Sequence, residues 1–421
     1  MELLSTQSSP LQAPTKDSMH VLVLGGGVVA LTTAWTLLDR GLKVTIVSEE
    51  WASSPENKVS SLAAGALWKC LPLECGPQAV TANLETNQKW TLESYKLFNA
   101  LAAMPELKGI IETRPCTIVT TGTIEGNANM EKKLDFVQKN LSGFRRGENL
   151  FSEYQINTEH ASGLTEAYEY SAPVINVTKA MEFLTDLVAR KGATMKTGAI
   201  KGSLLEQEAR LLREHRADAI VNAMGLGAAV AANDPNVYGL HGALVRLVND
   251  GSAFPVIKNT LIVSSTRAGE SGGDGAFILP RDDGILAIGT ISTAEGQAED
   301  LGLDSQAVRE MRARCEDLLP QLKLAKLAEV PIIRGTRPQR RGGARVERED
   351  VAGSRIVHAY GHGGAGWSLA VGSANETARL IDEIAAETLS GPSLSVLEGV
   401  STVKETYPTQ KTSLFETSVM V

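Results

Sequence analysis

A glycine triplet near the start of the chain has the type and spacing of a phosphate-binding turn. The segment GGGVVA at 25–30 follows the apolar run VLVL, and it fits the pattern GxGxxG/A between a strand and a helix. The first glycine allows a tight turn, and the third lets the backbone approach a pyrophosphate at the helix N-terminus. We predict that this turn binds the ADP half of a dinucleotide; the alternative is a tight turn without a ligand. The residues assigned to this role are Gly25, Gly27, Val28 and Val29.

An acidic residue follows where ribose recognition requires one. Glu49 comes just after the second apolar run, KVTIVS. A carboxylate at this place accepts hydrogen bonds from the ribose hydroxyls of an adenosine. FAD and NAD share this half, so the segment does not separate them.

Two further glycine-rich loops favour FAD. The segment SSLAAGALWKC at 60–70 has small side chains that let a backbone lie against a flat ring. The segment YGHGGAGWSL at 360–369 places backbone N–H groups and the Ser368 hydroxyl at the start of a helix, which suits negative charge on a flavin. Each loop alone is as compatible with an ordinary turn. His362 is interpreted as a structural histidine bonded to backbone, in preference to a base.

The periodicity predicts which elements position these loops. Apolar runs and a helical pattern give a strand–helix–strand unit over 20–48, and α/β patterns return at 174–228 and 354–389. Between them, 238–300 has the turn-rich pattern of an antiparallel sheet. We predict an α/β fold with a discontinuous, Rossmann-like FAD-binding domain and an inserted, mainly antiparallel β substrate domain with helices. The predicted boundaries are a flexible arm at 1–18, FAD-binding segments at 19–79, 160–230 and 335–390, substrate-domain segments at 80–159 and 231–334, and a mobile tail at 391–421.

Composition excludes several classes of function. The 421 residues carry a net charge of −8, which argues against a nucleic-acid partner. Four scattered cysteines form no CxxC pair, so neither a zinc site nor a disulfide framework is expected, and no metal is predicted. Without a signal-peptide pattern, a long apolar run or a C-terminal SKL, the chain is expected to be intracellular and cytoplasmic, with no membrane span.

These segments together resemble the D-amino-acid oxidase family, which includes D-aspartate oxidase. The resemblance covers roughly 20–388 and rests on GGGVVALTTAWTLL, AAGALW, AIVNAMG, GTRPQRR…ARVERE and YGHGGAGWSL, in that order. It implies FAD as cofactor, hydride transfer from the substrate Cα to flavin N5, and reoxidation by O2. The products implied are hydrogen peroxide and an imine that hydrolyses to a 2-oxo acid.

The resemblance also assigns roles to individual residues. It places substrate binding and orientation at Arg337, Phe277 and Gly364. Arg337 would hold the substrate carboxylate, which suits a planar guanidinium with two parallel donors; the alternative is a surface charge in a basic run. The further cofactor contacts that it implies, Arg337 included, are Ser60, Ser61, Ala64, Gly65, Trp68, Ile200, Gly225, Gly363, Gly364, Gly366, Trp367 and Ser368.

The loop 266–284 departs from the family pattern. D-amino-acid oxidases carry two tyrosines in this region, whereas here the first position falls at or near Gly273 and the second is Phe277. Neither provides a hydroxyl to a substrate carboxylate, so the pocket suits a larger or non-standard amine. Arg267 and Arg281 are candidate second anchors for an anion that the sequence does not place.

Three hypotheses follow from these observations. The leading one is an FAD-dependent oxidase of a D-amino acid or related amine, with a small-molecule substrate and O2 as partners. The second is a flavin dehydrogenase or a biosynthetic enzyme acting on a larger amino acid. The third is a non-catalytic FAD-binding interaction module. The oligomeric state is left open, with a homodimer as one option.

Overall fold

The computed structural model describes residues 4–54, 59–69, 84–159, 163–264, 275–281, 284–289, 291, 293–294 and 301–390. Its helices are α1 (Val28–Asp39), α2 (Leu84–Ala102), α3 (Ala128–Asn140), α4 (Asn149–Glu153), α5 (Val177–Arg190), α6 (Leu204–His215), α7 (Ala228–Ala231), α8 (Gln306–Leu318) and α9 (Gly366–Ser390). Its strands are β1 (His20–Leu24), β2 (Lys43–Ser48), β3 (Ile111–Thr120), β4 (Arg145–Arg146), β5 (Glu166–Ile175), β6 (Thr194–Thr197), β7 (Ala219–Asn222), β8 (Val237–Val248), β9 (Thr260–Ser264), β10 (Phe277–Pro280), β11 (Ile285–Gly289), β12 (Thr293–Ala294), β13 (Leu327–Arg340), β14 (Arg345–Arg348) and β15 (Ile356–Tyr360).

The first sheet carries the N-terminal strand–helix–strand unit at its centre. Its order is β14-β15-β7-β1-β2-β6, and every neighbouring pair except β14–β15 is parallel. The residues of β1 from Val21 to Leu24 are fully buried because α1, α5 and α9 contribute to the core on one face and α6 to the core on the other. A parallel sheet covered on both faces requires such continuous apolar strands. The α/β fold expected from the sequence is confirmed.

The second sheet is mainly antiparallel. Its order is β12-β8-β11-β10-β9-β3-β5-β4, with β13 also paired to β8. This sheet extends beyond the segments predicted for the substrate domain. Strand β5 pairs with β3 along its whole length, and the end of β13 stays paired with β8 as far as Arg340. Residues 166–175 and 335–340 were expected in the FAD-binding domain, but their ladder hydrogen bonds attach them to this sheet.

The segment predicted as a flexible arm contacts helix α1. The backbone N–H groups of Ser5 and Leu11 donate to the Asp39 carboxylate at 2.9 and 3.1 Å. The indole N–H of Trp35 donates to the carbonyl of Ser5 at 3.0 Å. Lys191 completes this cluster, since its Nζ lies 2.6 Å from Asp39 and both side chains are buried. Residues 5–11 therefore form a strap over the helix, which the polar composition did not indicate.

The structure also bears on membrane spans and on the cysteines. Across the described ranges, every helix is too short or too polar to cross a membrane. Cys116 and Cys315 are buried thiols, and burial raises the pKa of Cys315 to about 11. Cys70, Cys75, Arg267, Gly273 and the tail 391–421 lie outside the described residues.

Candidate active site

The turn between β1 and α1 requires glycine at its first position. Gly25 has a φ of +120°, and its N–H donates to the Val47 carbonyl at 2.8 Å. A Cβ at this position would overlap the carbonyl oxygen of Ala223 on the neighbouring strand. The glycine therefore lets the chain leave β1 tightly against β7 and turn into the helix.

Gly27, in contrast, faces space in front of the helix. It is the N-cap of α1 in an extended conformation and provides no side-chain cap. A Cβ here would come near one atom, Ser61 Oγ at 3.3 Å. That hydroxyl accepts a hydrogen bond from the Val28 N–H at 3.0 Å. Open backbone donors and a hydroxyl at a helix N-terminus fit a pyrophosphate, so the residues present here fit the group predicted for them.

The residues predicted for the adenosine lie beyond the carboxyl ends of adjacent strands. Glu49 is exposed directly after β2, and Ile200 is half-buried after β6, which pairs with β2. Gly225 follows β7 at a φ of +58°, and a Cβ on it would lie 3.6 Å from the ring of Pro338. Ligands of open α/β sheets bind at such strand ends. The structure therefore brings these positions to the same edge as Gly25 and Gly27.

Strand β13 joins the two glycine-rich loops. Alternate residues of a strand share a face, so Gly335, Arg337 and Gln339 point to the same side. A Cβ on Gly335 would overlap the side chain of Ala63 in the first loop. A Cβ on Gly363 of the second loop would overlap the side-chain amide of Gln339. Arg337 thus lies between the two loops.

The Arg337 guanidinium has a defined position against β8. A Cβ on Gly242 would overlap its Nη1 atom, so the glycine lets the planar group lie close to the strand. Its Nη1 donates to the carbonyl of Ile291 at 3.3 Å. Arg337 is half-buried, whereas Arg334 is exposed and Arg340 pairs with Asp234 at 2.7 Å. These arginines have distinct environments and do not form one uniform basic surface.

Phe277 lies on the same face of the second sheet. It pairs with Gly289, which pairs with Leu244 on β8, two residues from Gly242. The Phe277 ring is buried, and its edge is 3.0 Å from where a Cβ of Gly65 would stand. This face therefore carries a cation and an apolar ring beneath the first loop. As a phenylalanine, residue Phe277 offers no hydroxyl group to a substrate.

The indole of Trp68 packs in the core instead of facing this site. It is fully buried, donates to the Thr91 carbonyl at 3.0 Å and stacks on Tyr95 at 4.6 Å between centroids. Because a buried indole needs both apolar contacts and an acceptor, these partners hold it away from the site. Its side chain anchors the first loop, and the prediction that the backbone of this loop lies against a flavin ring stays a prediction. Ser60 and Ala64 of the same loop are half-buried.

The second loop is tied to the first by two hydrogen bonds. Ser368 Oγ accepts from the Lys69 N–H at 3.2 Å, and Trp367 Nε1 donates to the Ser61 carbonyl at 3.2 Å. Gly366 begins α9, and Gly363 has a φ of +56°. Gly364 between them is exposed. The helix N-terminus and both loops therefore meet around the candidate cofactor position.

His362, interpreted from the sequence as a structural histidine, lies in the second loop. Its side chain is buried, and burial lowers its pKa to about 4. Among the residues that the structure describes, its Nε2 has no hydrogen-bond partner. A neutral imidazole with a buried nitrogen in the second loop is a further feature that fits a bound polar group.

Two residues of this arrangement were not among the predicted ones. Gln339 contacts the second loop, and Gly242 accommodates the guanidinium. The alternation in GTRPQ, once 335–340 is known to be strand, would have placed Gln339 beside Arg337. Gly242 has no comparable signal, because its partner comes from a strand nearly 100 residues away.

Comparisons with known proteins bear on the family and the fold of the chain. The profile of the family described as FAD dependent oxidoreductase (DAO) matches residues 20–380. A D-amino-acid oxidase from Streptomyces coelicolor is 30% identical over 362 residues, which is 86% of this chain and 96% of that protein. Among solved structures, glycine oxidase from Geobacillus kaustophilus aligns with a TM-score of 0.65 at 18% identity, covering 87% of this chain and 95% of that one. L-proline dehydrogenase from P. horikoshii aligns with a TM-score of 0.64 at 16% identity, covering 88% and 94%.

Proposed function

Because the chain belongs to the DAO family of FAD-dependent oxidoreductases, we propose that it oxidises the Cα–N bond of a D-amino acid or a related amine. The observation that carries this proposal is the position of Arg337. Its guanidinium is held against Gly242 and Ile291, between the two loops that fit the cofactor. Two parallel hydrogen bonds to the substrate carboxylate at this place fix the position of the substrate Cα.

The side chains of this site then act by orientation and by excluding water. FAD, when bound, supplies the hydride acceptor for the substrate Cα–H bond, and O2 is the proposed final electron acceptor. Arg337 holds the carboxylate, while the buried ring of Phe277 excludes water from one side. The N-terminus of α9 favours negative charge next to it. No strong protein base is required if the substrate amine enters neutral, and the imine product hydrolyses in water.

A larger substrate is the second candidate, and Phe277 favours it. With phenylalanine in β10, Arg337 lacks a hydroxyl from this position to share the carboxylate. A small amino acid would then be held by fewer polar contacts. An apolar ring instead offers contact area to a bulky side chain.

Substitution of Arg337 by methionine tests the carboxylate assignment. We expect Arg337→Met to retain bound FAD and to raise the KM for D-amino acids by at least about 100-fold, since each of the two hydrogen bonds lost contributes about 1.5–3 kcal/mol. Absorbance spectra measure the FAD, and initial rates measure the KM.

The matched control is Arg334→Met, on the same strand and exposed. We expect its KM to equal that of the parent protein. An unchanged KM in Arg337→Met would show that this guanidinium does not bind the substrate.

A further inference from the structure

An apolar cavity of about 30 Å³ lies between helices α1, α2, α5 and α9. Its lining is almost entirely hydrocarbon and includes Leu101, Leu184 and Val371. None of the assigned substrate contacts borders it. One assigned cofactor residue does, since Trp367 forms part of its wall.

The polar atoms of the lining indoles are bonded to partners elsewhere. Trp35 Nε1 donates to Asp39 at 2.8 Å, and Trp367 Nε1 donates to the Ser61 carbonyl at 3.2 Å. A water molecule in a buried site needs two to four polar partners, and apolar cavities without them stay dry and bind apolar atoms such as xenon. The cavity therefore suits a small apolar molecule.

The lining of the cavity includes residues of the helical layer and one residue assigned to the cofactor. Ile110 and Phe183 in its lining are half-buried, while Trp367 is buried. Trp367 follows Gly366 and bonds to Ser61, which lies at the N-terminus of α1. A molecule in the cavity therefore contacts Trp367, a residue of the second loop that also bonds to the first loop.

We propose that this cavity is the binding and access site for dioxygen. A site that holds a water needs roughly 10–15 Å³, so about 30 Å³ admits a diatomic molecule and excludes an amino acid. The proposal rests on the proposed function, in which the substrate gives up two electrons and two protons and O2 accepts both pairs to leave as hydrogen peroxide. Proteins named as an oxidase and as a dehydrogenase both have this fold. Access for O2 therefore depends on the packing of each individual chain.

Filling the cavity from two helices tests the proposal. Val371→Phe adds bulk from α9, and Ala180→Leu adds it from α5. In each variant we expect the rate of reoxidation by O2 to fall by about tenfold, while the rate of anaerobic reduction by amino acid changes by less than about twofold. Stopped-flow absorbance measures both rates on the FAD-loaded protein. Glu182→Leu, on the exposed side of α5, is the control and should leave both rates unchanged.

Xenon binding to the unmodified protein gives a readout independent of turnover. Crystals pressurised with xenon should show an atom between Leu101 and Trp367, and this atom should be absent in Val371→Phe. The proposal is overturned if xenon does not bind there, if reoxidation stays at the parent rate in either variant, or if both rates fall equally in both. If amino acid reduces the flavin of the parent protein but O2 does not reoxidise it, this proposal is overturned, while the proposal of amino-acid oxidation stands.

Discussion

At the scale of single residues, two glycines of one turn have different roles. Gly25 is required by backbone geometry, whereas Gly27 leaves room for a ligand. Gly25→Ala should therefore lower the melting temperature of the apoprotein, because it forces a side chain into a φ of +120° and onto Ala223. Gly27→Val should keep that melting temperature and abolish FAD binding, because the branched side chain would occupy the pyrophosphate position.

Thermal unfolding of the apoproteins and FAD titration separate these two effects. A Gly27→Val protein that binds FAD normally would contradict the assignment of the turn. A Gly25→Ala protein as stable as the parent would contradict the geometric argument.

The buried imidazole of His362 makes stability depend on pH. Burial lowers its pKa to about 4, against 6.5 for a free histidine. Between these two pH values the unfolded chain binds a proton that the folded chain does not. The contribution of neutral His362 to the free energy of unfolding is therefore complete above about pH 6.5 and is lost as the pH falls towards 4. Between about pH 7 and about pH 5, we expect the melting temperature of the His362→Asn apoprotein to fall by less than that of the parent apoprotein. Equal losses, measured by calorimetry, would show that folding does not lower the pKa of this histidine.

At the scale of elements, the strap at residues 5–11 contributes to the stability of α1. Asp39 accepts two strap N–H groups and pairs with Lys191 in the protein interior. Asp39→Ala leaves the lysine charge buried, and removing one partner of a buried pair costs about 3–5 kcal/mol in the free energy of unfolding. Denaturant titration measures this loss.

The control for this element is an exposed ion pair. Glu214→Ala removes a solvent-exposed partner of Arg210 and should change the stability little. Adding Lys191→Met to Asp39→Ala should recover part of the loss, since the unpaired charge is then gone. A stable Asp39→Ala protein would mean that the strap and Lys191 do not depend on this carboxylate.

The elements also show what the sequence could and could not predict. The unit β1–α1–β2 was predictable because apolar periodicity, a glycine turn and an acidic residue occur within 30 residues. The strap was not, because its contacts come from backbone N–H and carbonyl groups, which have no side-chain signature. The burial of Trp68 depends on Tyr95 and Thr91, which pack against it only in the folded chain. Roles that rest on contacts between distant segments need the structure.

At the scale of the whole molecule, family and fold do not fix the substrate. The fold is shared with proteins named as a glycine oxidase and an L-proline dehydrogenase. In this chain the proposed substrate contacts lie on the face that carries Arg337 and Phe277, and an apolar cavity borders Trp367. A cytoplasmic location and the homodimer option stay predictions, which cell fractionation and sedimentation would test.

The most direct test of the central claim is the visible absorbance of the purified protein without oxygen. The spectrum is recorded before and after addition of the D and L forms of a panel of amino acids, including bulky ones. We expect a flavin spectrum at the outset, and we expect its visible band to bleach with at least one D-amino acid and to persist with the L form. A protein without flavin, or a flavin that no D-amino acid reduces, would contradict the proposed function.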